Sequence, residues 1–258
     1  MKKKIFVMPV LISLLCVVCA GCITREEYQP PLTVEQLYER ACDDAMIAEE
    51  DEILPLVAIT AGEPLVQWDA AGERVLVCTW HRYPDSYPDG EEIVTSFGVS
   101  WVFTLAEIVS WHTEEPAIED YVLRLEQLIG LPPENGKTHF TAMWVRPEDL
   151  FRPSYDNEID DDTVGLYFPS DVDPEYRSWF QSNLLSSYYP EQPGWVRYPW
   201  TRLGYTYDWA DNGTEYGLSE FIVKENSSVR VEKTYSNEEF FLYLQEESAN
   251  AVQDTLYS

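Results

Sequence analysis

Side-chain alternation is the feature that most limits how this chain can fold. Leu203, Tyr205, Tyr207 and Trp209 exchange with Gly204, Thr206 and Asp208. Phe97, Val99, Trp101, Phe103 and Leu105 do the same with Gly98, Ser100 and Thr104. A period of two puts alternate residues on opposite faces of a strand, so both stretches read as β-strands. Asn212-Gly213 is a hairpin turn signal. Strands near Leu218–Lys224 and Val229–Lys233 would follow it and make a C-terminal β-meander. Leu65–Trp68 and Val75–Trp80 read as a pair around Ala70-Ala71-Gly72, and His139–Val145 as a further strand.

Helical spacing separates these groups. Thr33 to about Glu50 begins with a Thr33/Gln36 capping box and lines up Val34, Leu37, Tyr38, Ala41, Cys42 and Ala45. Ile118, Tyr121, Val122, Leu125, Leu128 and Ile129 predict a second helix, with Glu114 and Glu115 at its start and Gly130 at its stop. Asp173-Pro174 opens a third, expected to bury Tyr176, Trp179, Phe180 and Leu184. Ser236/Glu239 caps a fourth, running to about Glu247. Pro147 to Asp162 reads as an irregular acidic stretch. Strands come in groups rather than alternating with helices. The expectation is an α+β fold, mostly antiparallel, with a C-terminal β-meander and about four packed helices. Residues 33–247 would be one domain and 248–258 a frayed polar tail.

The N-terminus carries a different kind of information. Lys2-Lys3-Lys4 precedes a 14-residue apolar stretch, Ile5–Val18, and then Cys19-Ala20-Gly21-Cys22. A basic region, a short apolar region and small residues before a cut site make a secretory signal. The stretch is shorter than the roughly 20 residues of a membrane span and contains Pro9. Its end resembles the lipobox of bacterial lipoproteins, departing from it at Cys19, where that family usually has Leu. The resemblance implies that residues 1–21 are removed, that the Cys22 thiol receives diacylglycerol, and that its new amine is acylated. Residues 22–32 would then be a tether. Two or three acyl chains at about 0.8 kcal/mol per buried methylene hold almost irreversibly, where one chain does not. Ile23 stands where an Asp would mark inner-membrane retention, so the resemblance points to the outer membrane if the cell has two.

Charge narrows the partners. Losing residues 1–21 removes three lysines and no acid, moving the formal net charge from −29 to −32. Nucleic acid is excluded as a natural partner, because phosphate contacts need basic patches. So acidic a body is also repelled by anionic lipid, leaving a covalent lipid as its means of staying at a membrane. Of five cysteines, Cys42 and Cys78 remain beside Cys22. They could pair in an oxidising compartment, for about 3 kcal/mol in the loop-entropy picture, or remain as buried free thiols.

The span Leu125–Val223 is similar to bacterial hypothetical proteins through LEQLIGLPP, RPEDLFRP, PWTRLGYTYDW and GLSEFIV. That resemblance implies a folded domain and brings no activity with it.

Catalytic and metal patterns are sparse. His81, His112 and His139 are scattered, and Cys78-Thr-Trp-His81 is half of a zinc spacing without its second half. Asp156, Glu158 and Asp160 alternate like calcium ligands, and Asp208, Asn212 and Gly213 occupy positions 1, 5 and 6 of an EF-type loop. Both lack the remaining ligands of that template, so no metal and no cofactor is expected. Gly98-Val-Ser100-Trp-Val lacks the second glycine of a nucleophile elbow. Cys78 in an apolar strand reads as inert packing.

The most unusual segment is Tyr188–Trp209, with eight tyrosines and tryptophans interrupted by Pro190, Pro193 and Pro199. Tyr205, Tyr207 and Trp209 fit a core strand. Trp195, Tyr198 and Trp200 fall outside the regular pattern and could stack on sugar rings or line a groove for an extended peptide. Arg202 reads as the partner of Asp208 or Glu220, or as a further ligand contact. The functional expectation is a lipid-anchored cell-envelope protein whose body is a non-enzymatic binding or assembly module, with a glycan or an envelope protein as partner. The alternative is an acidic hydrolase acting on an envelope polymer.

Overall fold

The apolar run Val75–His81 forms β1, and all its residues are buried, as in a strand covered on both faces. A computed structural model describes residues 30–115 and 117–257. The signal segment, Cys22 and the tether as far as residue 29 lie outside the described residues. β1 is flanked by β4 (His139–Val145), in register from Val75 opposite Val145 to His81 opposite His139, and by β3 (Ser100–Thr104). The seven-stranded sheet has the order β2 (Glu92–Val94), β9 (Ser228–Ser236), β4, β1, β3, β8 (Phe221–Val223), β5 (Leu150–Phe151). Every pair is antiparallel, so the α+β class with a mostly antiparallel sheet is the observed one.

Each face of the sheet has its own core. Leu76, Cys78, Trp80, Phe103, Phe140, Ala142 and Trp144 meet Ile108, Leu125, Leu128, Phe240 and Leu244 from α2 (Leu105–Glu114), α3 (Tyr121–Leu128) and α5 (Asn237–Tyr257). Val75, Val77, Val102, Met143, Val145, Val229 and Val231 meet Val57, Ile59 and Val66, which precede β1. α1 (Val34–Asp44) and α4 (Pro174–Tyr188) contribute to a third cluster, around Tyr38, Cys42, Tyr188 and Trp209. Leu32–Ser258 is one compact unit. Among the described residues, no helix is long and apolar enough to cross a membrane.

Local signals hold where nothing competes with them. Thr33 and Gln36 make the capping box of α1, Asp173 caps α4, and Ser236 and Glu239 bond each other at the start of α5. β6 (Tyr205–Tyr207) and β7 (Tyr216–Ser219) pair across Asn212-Gly213, where Gly213 takes φ +86°. The strands after this hairpin do not continue a meander. β8 enters the large sheet between β3 and β5, and β9 between β2 and β4, because their valines complete the core under β1.

The structure also corrects the helices. The alternation at 97–105 yields a strand only over Ser100–Thr104, and Leu105 opens α2. Leu105, Ile108 and His112 bury one helical face, which wins over continuing the alternation. Glu114 and Glu115 therefore end α2, and Asp120 caps α3 instead. Among the described residues there are five α-helices, where about four were expected. The expected frayed tail is part of α5, which runs to Tyr257, and Ser248 is buried with its hydroxyl 2.8 Å from His112 Nδ1.

Candidate binding surface on the aromatic loop

The chain between α4 and β6 leaves the helix at Tyr188 and is pinned at several points. Tyr188 donates its hydroxyl to the Ala45 carbonyl at 2.6 Å and also bonds the Trp200 carbonyl. The Tyr198 amide donates to Ser187 O at 2.9 Å. Arg197 reaches α1, donating to Asp43 at 2.6 Å and to Glu39, while the Tyr38 hydroxyl donates to Arg197 O at 2.6 Å. Such surface ion pairs contribute little singly; here they fix which way the loop faces. Trp195 (58% exposed), Tyr189 (57%), Val196 (43%) and Tyr198 (41%) are left facing solvent.

The sequence-selected residues divide. Trp195 and Tyr198 are on the surface, as a binding role requires. Trp200 is 5% exposed, packs on Phe180 with ring centres 4.7 Å apart, and donates Nε1–H to Pro153 O at 3.0 Å. It belongs to the core, because the loop turns inward at Pro199. Arg202 is buried too. It donates to Ala45 O at 2.6 Å and lies 5.5 Å from the Tyr188 ring centre. Neither expected carboxylate holds it. Asp208 is bound by Arg124, whose Nη1 and Nη2 donate to Oδ1 and Oδ2 at 3.0 and 2.7 Å. Tyr205, Tyr207 and Trp209 are buried, as their alternation predicts.

Cys42 and Cys78 are free thiols in separate clusters, so the bridge is not formed. Burial pushes the Cys42 thiol up to about 12 and raises Cys78 as well, which leaves both unreactive. A thiol reagent should therefore label neither in the native mature protein and both after denaturation without reductant. A bridge would leave both unlabelled in denaturant.

The histidines are spent on the fold. β1–β4 pairing brings His81 and His139 together, with ring centres 6.4 Å apart. His81, however, bonds Thr141 Oγ1 at 2.7 Å and accepts the Tyr83 amide at 3.1 Å. His112 lies between Ser248 and Tyr121. Of the calcium-like patterns, Asp156 accepts the Glu158 amide, and Asp208 accepts from Arg124, Ala210 and Asn212.

Sequence spacing missed Asp44, Glu52 and Glu215. One carboxylate oxygen of each lies within 4.8 Å of the others, close enough to share a cation. Tyr207 donates its hydroxyl to Asp44 at 2.8 Å. Burial and the neighbouring acids raise both Glu52 and Glu215. These residues come from three distant segments, so no local motif could announce them. The recess formed by Glu52, Glu215, Thr201, Tyr205 and Tyr207 has no room for even a water-sized molecule, unlike the roughly 300–1,000 Å³ of ligand pockets. Comparison with protein-family models, curated proteins and solved structures finds no match to this chain.

Proposed function

We propose that this chain is a lipid-anchored cell-envelope protein whose folded body is a non-enzymatic binding or assembly module. One observation carries the anchoring: Ala20-Gly21-Cys22 follows a basic and then an apolar segment of signal-peptide length. A body of charge −32 needs such an anchor to stay at an anionic surface. Outer-membrane placement, in a cell with two membranes, rests on Ile23. In the test, Cys22→Ser should abolish lipid labelling, move the protein from the membrane to the soluble fraction or stall it uncut, and leave the body folded. A Cys22→Ser protein that is still cut and still membrane-bound contradicts the anchor.

The binding half of the proposal rests on the exposed Trp195 and Tyr198, held outward by Arg197 and Tyr38. Aromatic faces of this kind suit a sugar ring or an extended envelope peptide. The acidic-hydrolase alternative would place its chemistry at Asp44, Glu52 and Glu215. The recess beside Glu52 and Glu215 does not admit even a water-sized molecule, so the binding reading is the one put forward.

A further inference from the structure

Three charged side chains are buried inside the fold. Glu107 on α2 and Glu220 between β7 and β8 are each 6% exposed, and Arg152, just after β5, is fully buried. Glu107 follows Thr104 at capping-box spacing, yet it does not cap its own helix. Its Oε1 accepts the Ser219 amide at 2.9 Å. Ser219 Oγ in turn accepts the Val57 amide at 2.8 Å, and the Val57 carbonyl accepts Arg152 Nη2 at 2.9 Å. Glu107 and Arg152 are thus joined through a single residue of β7 and a single residue of segment 55–59.

Arg152 also gathers the acidic loop. It donates to the carbonyls of Glu158, Ile159 and Asp161 at 3.2, 3.4 and 3.1 Å. The same loop binds segment 55–59 through Leu56 N to Asp162 O and Ile59 N to Ile159 O, both 2.7 Å. Gly204 lets the arginine pass, since a Cβ there would lie 2.7 Å from Arg152 Cδ. Each member still keeps one buried atom without a partner: Glu107 Oε2, Arg152 Nη1 and Glu220 Oε1.

The charges cannot balance if all three ionise. Two buried acids face one buried base, and an uncompensated charge in such an interior is very costly. Around them, Glu63 faces Glu107 and Asp161 faces Arg152, which adds negative potential. Tyr216 lies near Glu107 and Arg152, and Tyr176, Tyr188 and Trp200 near Glu220, all neutral. Arg202, beyond Tyr188, is committed to Ala45. We propose that Glu107, Arg152 and Glu220 form a pH-sensitive clasp. One carboxyl stays protonated in the closed state, and loss of that proton to solvent loosens loop 156–162 and segment 55–59 from the sheet.

The direction follows from burial, which pushes Glu107 up to about 7 and raises Glu220 as well. A carboxyl raised on folding stabilises the fold at low pH, and this contribution is lost as pH rises from 4.5 through about 7. His81 acts oppositely. Its burial lowers it from 6.5 to about 4, so its contribution is lost as pH falls through that window. Whole-protein stability therefore mixes the two, and the clasp must be read locally.

The experiment is a carboxyl ¹³C NMR titration of the intact mature protein, with amide exchange measured in wild type, Glu107→Gln and Glu220→Gln. In wild type, Glu107 should titrate at about 7, or Glu220 well above an exposed glutamate. Exchange at Leu56 and Ile59 should accelerate about tenfold between about pH 5 and pH 8, beyond the intrinsic base-catalysed rise. Glu107→Gln or Glu220→Gln should flatten that acceleration. Ordinary glutamate titration of both residues, or equal acceleration in wild type and both variants, overturns the clasp. If the variants fail to fold, the wild-type titration decides alone.

Discussion

Trp200→Ala is expected to destabilise the protein by about 3–5 kcal/mol, while Trp195→Ala stays within about 0.5 kcal/mol of wild type. The two tryptophans lie five positions apart in one loop and differ in burial. Trp200 sits among Trp101, Trp179 and Phe180, with ring-centre distances of 6.2, 6.2 and 4.7 Å. Its removal opens a cavity and leaves Pro153 O without its indole donor. Trp195 has no such surroundings, and its exposed ring is free to contribute to binding. At roughly 2–4 °C per kcal/mol for a chain of this size, the first change should lower the melting temperature by about 10 °C. Thermal melts of the two variants, with binding to a purified envelope glycan or peptide as the second readout, check this. Trp195→Ala should lose binding and keep its melt. If it melts like Trp200→Ala, the loop is core throughout and the binding surface is wrong.

Arg124→Met should cost about 3–5 kcal/mol, the range for leaving one member of a buried pair alone. Arg124 bonds both Asp208 oxygens and Glu115, and its guanidinium lies 4.9 Å from the Trp111 ring centre. Asp208 is 2% exposed. Methionine keeps the packing volume and removes the charge, so the loss reports the stranded carboxylate. Arg124→Met/Asp208→Asn should recover part of it, because an amide tolerates burial better than an anion. Urea midpoints of both variants measure this, and equal losses would show that packing, not the pair, sets the cost.

Both variants probe places where sequence reading met its limits. The caps at Thr33, Asp173 and Ser236, the Asn212-Gly213 hairpin and the strands at 75–80 and 139–145 are local or strictly periodic, so they were legible. Leu105 was not, since it fits both the alternation behind it and the helical spacing ahead of it. Only burial against β1 and α5 decides between the two. Arg202 shows the same limit for charge. Its partner was expected among nearby acids, but Arg124, 84 positions from Asp208, is better placed, and Arg202 turns to a backbone carbonyl. Of the loop residues, Trp195 and Tyr198 were legible as exposed because they break the pattern. Trp200 breaks it as well, and its burial depends on α4 and β3. Glu107 did leave a trace, as a lone charge within the apolar run Leu105–Trp111; Arg152, in an acidic stretch, did not. Pairing them with Glu220 needed the fold.

The claim on which the account rests concerns Cys22, and the intact mass of protein extracted from cell membranes tests it most directly. The expected species begins at Cys22, lacks residues 1–21, and carries a diacylglyceryl group on the thiol with an acyl chain on the amine. A chain that retains residues 1–21, is cut elsewhere, or bears an unmodified Cys22 thiol would contradict the lipid anchor.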